Sequence, residues 1–260
     1  PYALGFLEEK IIFGYANIDK SYVYNSIWLN LYSVFFLYDK NFDFLTTPSY
    51  LLFISFILFS VNQIITTKRI LISDNYLILI LFYFILKFTR ISEFGVDLPS
   101  IIFSILAIYY FIKFAETNIV EEKKEYFFLI IIFSIFAILI KLSTIPIILL
   151  PLYIFFKNFN YLRFSFINFR YLFVILLFST YLIQQFIYTG CFVFPTNLTC
   201  FDVRWFNPEY LKLSEQLELV NKSYFQEAKN TYSPEQYLNN FNWLYFWIKR
   251  NFIEILEHFL

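Results

Sequence analysis

The chain has 260 residues, and its 20 Lys and Arg against 20 Asp and Glu leave no net charge to hold a nucleic acid. Hydrophobic residues make up 59%, charged residues 15%, and the mean hydropathy is +0.60, which excludes an ordinary water-soluble domain of this length. Four scattered glycines form no phosphate-cradling loop or dinucleotide fingerprint, and one His argues against both Ser-His-Asp chemistry and a zinc site.

There is no Met, not even at position 1, so the chain reads as a fragment in which no signal peptide can be sought. The abundance of Phe beside few Gly reads as AT-rich coding bias, and the composition looks bacterial. Residues 1–48 are expected to form a first outer loop. In it SIWLNLYSVFFLY places Ile27, Trp28, Leu31, Val34, Phe35 and Tyr38 on one helical stripe of about 20 Å, which should lie in the membrane interface instead of crossing it. Glu8, Glu9, Asn17, Asp19, Tyr24 and Asn25 supply polar groups nearby, of which Glu8 and Glu9, like Lys20, read as solvated.

Six apolar stretches follow, roughly 49–65, 75–88, 99–115, 126–140, 142–156 and 171–189, and together they predict an all-α, multi-pass transmembrane bundle. Thr47-Pro48, Asp74-Asn75 and Pro99 supply helix-start signals. Residues 126–156 could instead form one tilted helix, but that would leave the Lys141 ammonium near the bilayer centre at about 2.5–3.5 kcal/mol. A break at Lys141-Leu142-Ser143-Thr144 is preferred. Residues 190–240 read as a polar outer segment, helical around LKLSEQLELVNKSYFQEAKN, and 241–260 as an interfacial helix leading to a missing span.

The gaps between these stretches alternate in charge. Lys68, Arg69, Lys113, Lys123, Lys124, Lys157, Arg163 and Arg170 fall in the first, third and fifth, against Lys87, Arg90 and Lys141 in the second and fourth. The positive-inside rule then places the odd gaps in the cytoplasm. Residues 1–48, 89–98, the Lys141 turn and 190–240 share the outer side.

The outer loop Arg90-Ile-Ser-Glu-Phe-Gly-Val-Asp97 holds Glu93 and Asp97 four residues apart with Arg90 before them, a pattern that can coordinate a divalent cation or hold a phosphate. It also suits a plain solvated connector. Lys141, on the same side, could neutralise a phosphate or pair with Glu93 or Asp97; a lysine snorkelling at a helix end is the other reading. Cys191 and Cys200 also fall outside, where a disulfide is allowed, and the topology favours a bridge over two unpaired thiols. Asn197-Leu198-Thr199 and Asn221-Lys222-Ser223 match the glycosylation acceptor pattern weakly.

Three stretches carry a resemblance. FGYANIDKSYVYNSIW (Gly14, Ala16, Asn17, Asn25, Ser26, Trp28), RISEFGVDLPS (Glu93, Gly95, Asp97, Pro99) and YTGCFVFPTNLTCFDVRWF (Gly190, Cys191, Pro195, Thr199, Cys200) resemble motifs of the C-type (GT-C) membrane glycosyltransferases, most closely an uncharacterised bacterial surface-polysaccharide branch. The Lys141 hairpin LIKLSTIPIILLP is similar to the short Lys-containing hairpin of lipid-linked sugar transferases. The resemblance implies a GT-C-like fold in the bacterial inner membrane. It implies transfer of a sugar from a polyprenyl-phosphate donor to a glycan acceptor on the outer face, with a main base upstream of Pro1. Glu93 and Asp97 would form a second acidic loop that assists the donor phosphate or a metal. Arg90 and Lys141, with Asn17 and Asn25, would bind substrate and phosphate. A non-catalytic, polymerase-like, ligase-like or transport component of polysaccharide export is the other class. A transporter should show inverted repeats and mid-span charges, which the sequence lacks apart from Lys141.

Overall fold

The computed structural model describes residues 12–18, 25–36, 46–67, 71–86, 95–162, 169–222, 233–246, 248–249 and 252. They divide into two compact units, Pro1–Ile12 with Ser21–Gln184 and Phe13–Lys20 with Gln185–Leu260. Among the described residues the regular structure is helical, apart from one isolated bridge between Cys191 and Cys200.

The first unit begins with a short helix, α1 (Ile27–Phe36), followed by α2 (Thr47–Thr66), α3 (Ile72–Leu86), α4 (Asp97–Glu116) and α5 (Val120–Ile140). A 3₁₀ segment, Leu142–Ile148, then leads into α6 (Leu149–Lys157), α7 (Phe159–Leu162) and α8 (Phe169–Thr189). Local signals explain several of these ends. Pro48 sits in the first turn of α2, where its missing N–H leaves no unmet bond. Glu121 and Glu122 in the first turn of α5 and Lys113 in the last turn of α4 lie at the helix ends that favour their charge. The apolar run 126–156 breaks at Lys141, whose backbone is extended (φ −145°, ψ 111°), and Pro146 follows inside the 3₁₀ segment. The helix starts shift slightly from their expected positions: α3 begins at Ile72 and α4 at Asp97.

The helices run up and down, as their end contacts show. At one end Trp28 and Tyr32 of α1 meet Ser49 of α2, Tyr32 meets Gly95 before α4, and Ser26 meets Ile140 at the end of α5. At the opposite end Tyr109 of α4 meets Gln63 of α2, Ser73 of α3 meets Glu116 of α4, and Arg170 of α8 pairs with Glu125 of α5. Rings fill the layers between, with Tyr110 stacked on Phe133 at 5.7 Å and Phe103 on Phe136 at 5.3 Å. Ser60, Ser73, Ser100 and Ser134 are fully buried, which lets neighbouring backbones approach.

The outward faces are apolar. Only 17% of the most apolar stretch of α2 is buried, and Ile54, Leu58, Leu79, Ile85 and Phe156 are more than half exposed. The helices α2, α4 and α8 are each long and apolar enough to cross a membrane, while α3 and the segment 142–157 are apolar but shorter. Such a surface suits a bilayer as the surrounding solvent. Among the described residues three of the six expected spans thus reach full length; α3 is described over 15 residues, and α5 opens with charged residues before its apolar run. The α1 stripe also divides. Trp28 and Tyr32 are buried and hydrogen-bonded, whereas Leu31 and Val34 face outward; the Phe35 side chain and Tyr38 lie outside the described residues.

The second unit contains the 3₁₀ turn Tyr15–Asn17, the last turn of α8, a bridged loop, α9 (Pro208–Lys222) and α10 (Pro234–Leu238). Ser233 caps α10 through a reciprocal box with Gln236. Residues 242–246 are helical, and the expected closing helix is otherwise described only at 248–249 and 252. Gly14 has φ +76° and donates its N–H to Ile187 O at 2.9 Å, and a Cβ there would fall 2.7 Å from Trp205 Cβ. Gly14→Ala is therefore expected to destabilise the chain by about 1–3 kcal/mol, read as a lower melting temperature in detergent. Gly95→Ala, where a Cβ would meet nothing within 4 Å, should change it little.

Candidate functional site

At the end of the first unit where α2 and α4 begin, hydroxyl and indole groups form a buried floor. Trp28 Nε1 donates to Ser49 Oγ at 3.1 Å, Tyr32 Oη lies 2.7 Å from Ser49 Oγ, and the Tyr32 hydroxyl donates to Gly95 O at 3.1 Å. Trp28, Tyr32 and Ile140 form one apolar cluster with Val96 and Phe103 packed against it. Ser26 Oγ donates to Ile140 O at 2.7 Å, fixing the start of α1 to the end of α5. Every polar atom named here has a partner, as burial requires.

Above this floor stand two charges. Lys141 Nζ donates to Asp97 Oδ1 at 2.5 Å, and the two side chains are 40% and 68% exposed. Asp97 opens α4, where the helix dipole favours a carboxylate. Ser100 Oγ donates to Asp97 O, and Lys141 is held through its own backbone, donating its N–H to Ala137 O and accepting from Thr144 Oγ1. The result is a positioned ammonium and carboxylate that a ligand can reach.

A groove of about 250 Å³ runs between α1 and α8. Phe173, Leu176 and Leu177 make its apolar part, and Asn30, Tyr181 and Gln184 its polar part. Asn30 Nδ2 donates to Gln184 Oε1 at 3.2 Å, and Tyr181 Oη donates to Asn25 O at 3.2 Å. From Phe173 to Gln184 the groove follows α8 for about 16 Å. Ile27 also lines it, one residue from the Ser26 that bonds to Ile140.

Of the sequence-predicted residues, Asp97 and Lys141 are brought together, and Asn25 is buried beside α8. Arg90 and Glu93 lie outside the described residues, as do Glu8, Glu9, Asp19, Lys20 and Tyr24. Asn17 belongs to the second unit, where its Nδ2 donates to Trp205 O at 2.7 Å. Cys191 and Cys200 are joined by a disulfide in the same unit. Among the described residues no group of three or more His, Cys, Asp or Glu is placed to hold a metal ion.

Sequence reasoning missed Tyr32, Ser49 and the Asn30–Gln184 pair. It also read Asp74 only as a helix-start signal. Asp74 is 2% exposed at the opposite end of the unit, accepts from Leu71 N at 2.9 Å and lies 3.9 Å from Lys113 Nζ, while Glu116 accepts from Ser73 N and Oγ at 3.0 and 2.7 Å.

Residues 7–260 match the family described as Domain of unknown function (DUF8201). The chain belongs to the DUF8201 family. No curated protein and no solved structure matches it. In this DUF8201 chain the Asp97–Lys141 pair, its aromatic floor and the groove between α1 and α8 are thus defined by geometry alone.

Proposed function

We propose that the chain is part of an integral membrane glycosyltransferase that takes a sugar from a polyprenyl-phosphate donor at the outer face of a bacterial inner membrane. In this reading the six apolar segments all cross, α3 and the segment 142–157 doing so where the polar end thins the barrier. The observation that carries the proposal is the exposed Lys141–Asp97 pair in a unit that also holds an amphipathic groove. An isoprenoid chain suits Phe173, Leu176 and Leu177, and its phosphate suits an ammonium already held at the helix ends.

The acceptor hydroxyl would attack the anomeric carbon as the bond from that carbon to the phosphate oxygen breaks. The hydroxyl proton passes to a carboxylate base, placed by the resemblance upstream of Pro1. Lys141 and Arg90 would stabilise the charge that develops on the departing polyprenyl phosphate. Asp97, with Glu93, would orient Lys141 or hold a divalent cation against that phosphate.

The test is Glu93→Gln and Asp97→Asn in the full-length protein, assayed for sugar transfer from a lipid-linked donor in membranes. A fall of about a hundredfold in either supports the proposal. Unchanged transfer in both reduces the loop to a connector.

A further inference from the structure

The loop that follows α8 opens a segment that is polar over its whole length, yet the loop itself carries an apolar surface. Leu198 is 96% exposed, Phe201 49% and Phe192 37%, and Phe13 of the same unit is 60% exposed. These side chains are not loose. The disulfide closes Cys191–Cys200, Phe192 N donates to Thr199 O at 3.1 Å, Thr199 Oγ1 donates to Val193 O at 2.8 Å, and Phe201 N donates to Gly190 O at 3.0 Å. A loop so tied cannot fold Leu198 inward, so whatever covers Leu198 comes from outside the loop.

Chain connectivity indicates what that is. The 21 residues of α8 rise about 31 Å, close to the thickness of a bilayer's hydrocarbon core, and the helix is apolar enough to cross it. Gly190 then lies at the boundary between acyl chains and headgroups. The bond from Phe201 N to Gly190 O keeps Phe201 at that same level. Around it Phe186, Phe192, Phe201 and Trp205 form a ring cluster with centroids 5.4–5.8 Å apart, joined by Phe13 at 4.7 Å from Trp205. Aromatic rings collect at this depth in membrane proteins because an apolar body and a polar tip both find their medium there. Asn197, Asp202 and Arg204 are exposed beside the rings, as headgroup contacts would be. A glycan-stacking platform fits less well, since it has no use for an almost fully exposed Leu.

We infer that the bridged loop Cys191–Cys200, with Phe201 and Phe13, is a membrane-interface anchor that inserts Leu198 and its neighbouring rings into the leaflet where α8 ends. This holds whether or not the chain transfers sugars.

The full-length protein is reconstituted in vesicles of phosphatidylethanolamine and phosphatidylglycerol, with the photoreactive residue p-benzoylphenylalanine at Leu198, at Phe201 or, as a water-facing control, at Glu209. Lipid adducts at the first two positions, at least about tenfold above the control, are expected. Adducts to protein or glycan in place of lipid at Leu198, or none above the control, overturn the inference. Hydroxyl-radical footprinting of the unaltered protein gives an independent reading, since no substitution is needed. Leu198 and Phe201 should be protected in vesicles relative to Leu213 of α9, and oxidation of Leu198 as fast as that of Leu213 overturns the inference equally.

Discussion

Replacing Lys141 by Gln in the full-length protein is expected to lower transfer from a lipid-linked sugar by about a hundredfold to a thousandfold, the usual cost of deleting one preorganised donor to a developing oxyanion. Its melting temperature should barely move. The Lys141–Asp97 pair is 40% and 68% exposed, and ion pairs in that setting contribute about 0–1 kcal/mol. The turn itself is fixed by backbone groups, through Lys141 N to Ala137 O, Thr144 Oγ1 to Lys141 O and Ser26 Oγ to Ile140 O, none of which the substitution touches. Activity and stability therefore separate at this residue, as they would not for a side chain that merely holds the fold.

Lys141→Arg sharpens the test. It keeps the positive charge but replaces a compact ammonium with a planar fork of different reach, so partial recovery of transfer is expected. Full transfer by Lys141→Gln in a folded protein ends the assignment of Lys141 to the donor phosphate. So does a loss in Lys141→Gln that is matched by an equal loss of folded protein.

Much of the fold was legible because the bilayer imposes it. Long apolar runs separated by charge-sorted gaps have few arrangements, and the same sorting put Asp97 and Lys141 on one side before any contact was known. The break at Lys141 was legible too, from a buried-charge cost at mid-span and from Pro146 beyond it. What stayed hidden is which face of each helix turns inward. In water an apolar stripe marks the core, but in lipid both faces are apolar, and small or hydrogen-bonding residues mark the packed side instead. Hence Leu31 and Val34 were grouped with Trp28, while the residues that do pack, Tyr32 and Ser33, went unremarked. The Tyr32 bonds to Ser49 and Gly95 span 17 and 63 residues, beyond any local pattern. The disulfide between Cys191 and Cys200 was legible from topology and is present, but exposure was not: the loop opens a segment that reads as polar over its whole length, and only geometry shows that Leu198 and, just past the bridge, Phe201 face outward.

Asp74→Ala should give the largest loss of stability, about 3–5 kcal/mol, because it opens a buried polar junction of three helices and leaves its partners unmet. The carboxylate is 2% exposed. Its Oδ2 accepts from Leu71 N at 2.9 Å, and its Oδ1 faces Thr67 Oγ1 at 3.4 Å and Lys113 Nζ at 3.9 Å. Lys113 is itself only 15% exposed and lies over the Tyr109 ring at 5.7 Å, and the Tyr109 hydroxyl donates to Gln63 Oε1 at 3.2 Å. Removing Asp74 strands that ammonium away from water, a larger cost than the direct attraction at 3.9 Å would suggest. The companion variant Asp74→Leu with Lys113→Met removes both charges, and it should regain most of the loss since no uncompensated ion remains. Melting of the full-length protein in one detergent, across wild type, Asp74→Leu, Lys113→Met and the double variant, gives the coupling, expected at about 1–3 kcal/mol. If the Asp74→Ala loss stays under about 0.5 kcal/mol, the carboxylate is solvated in the membrane-embedded protein, and the three helix ends are held by Glu116 and Ser73 instead.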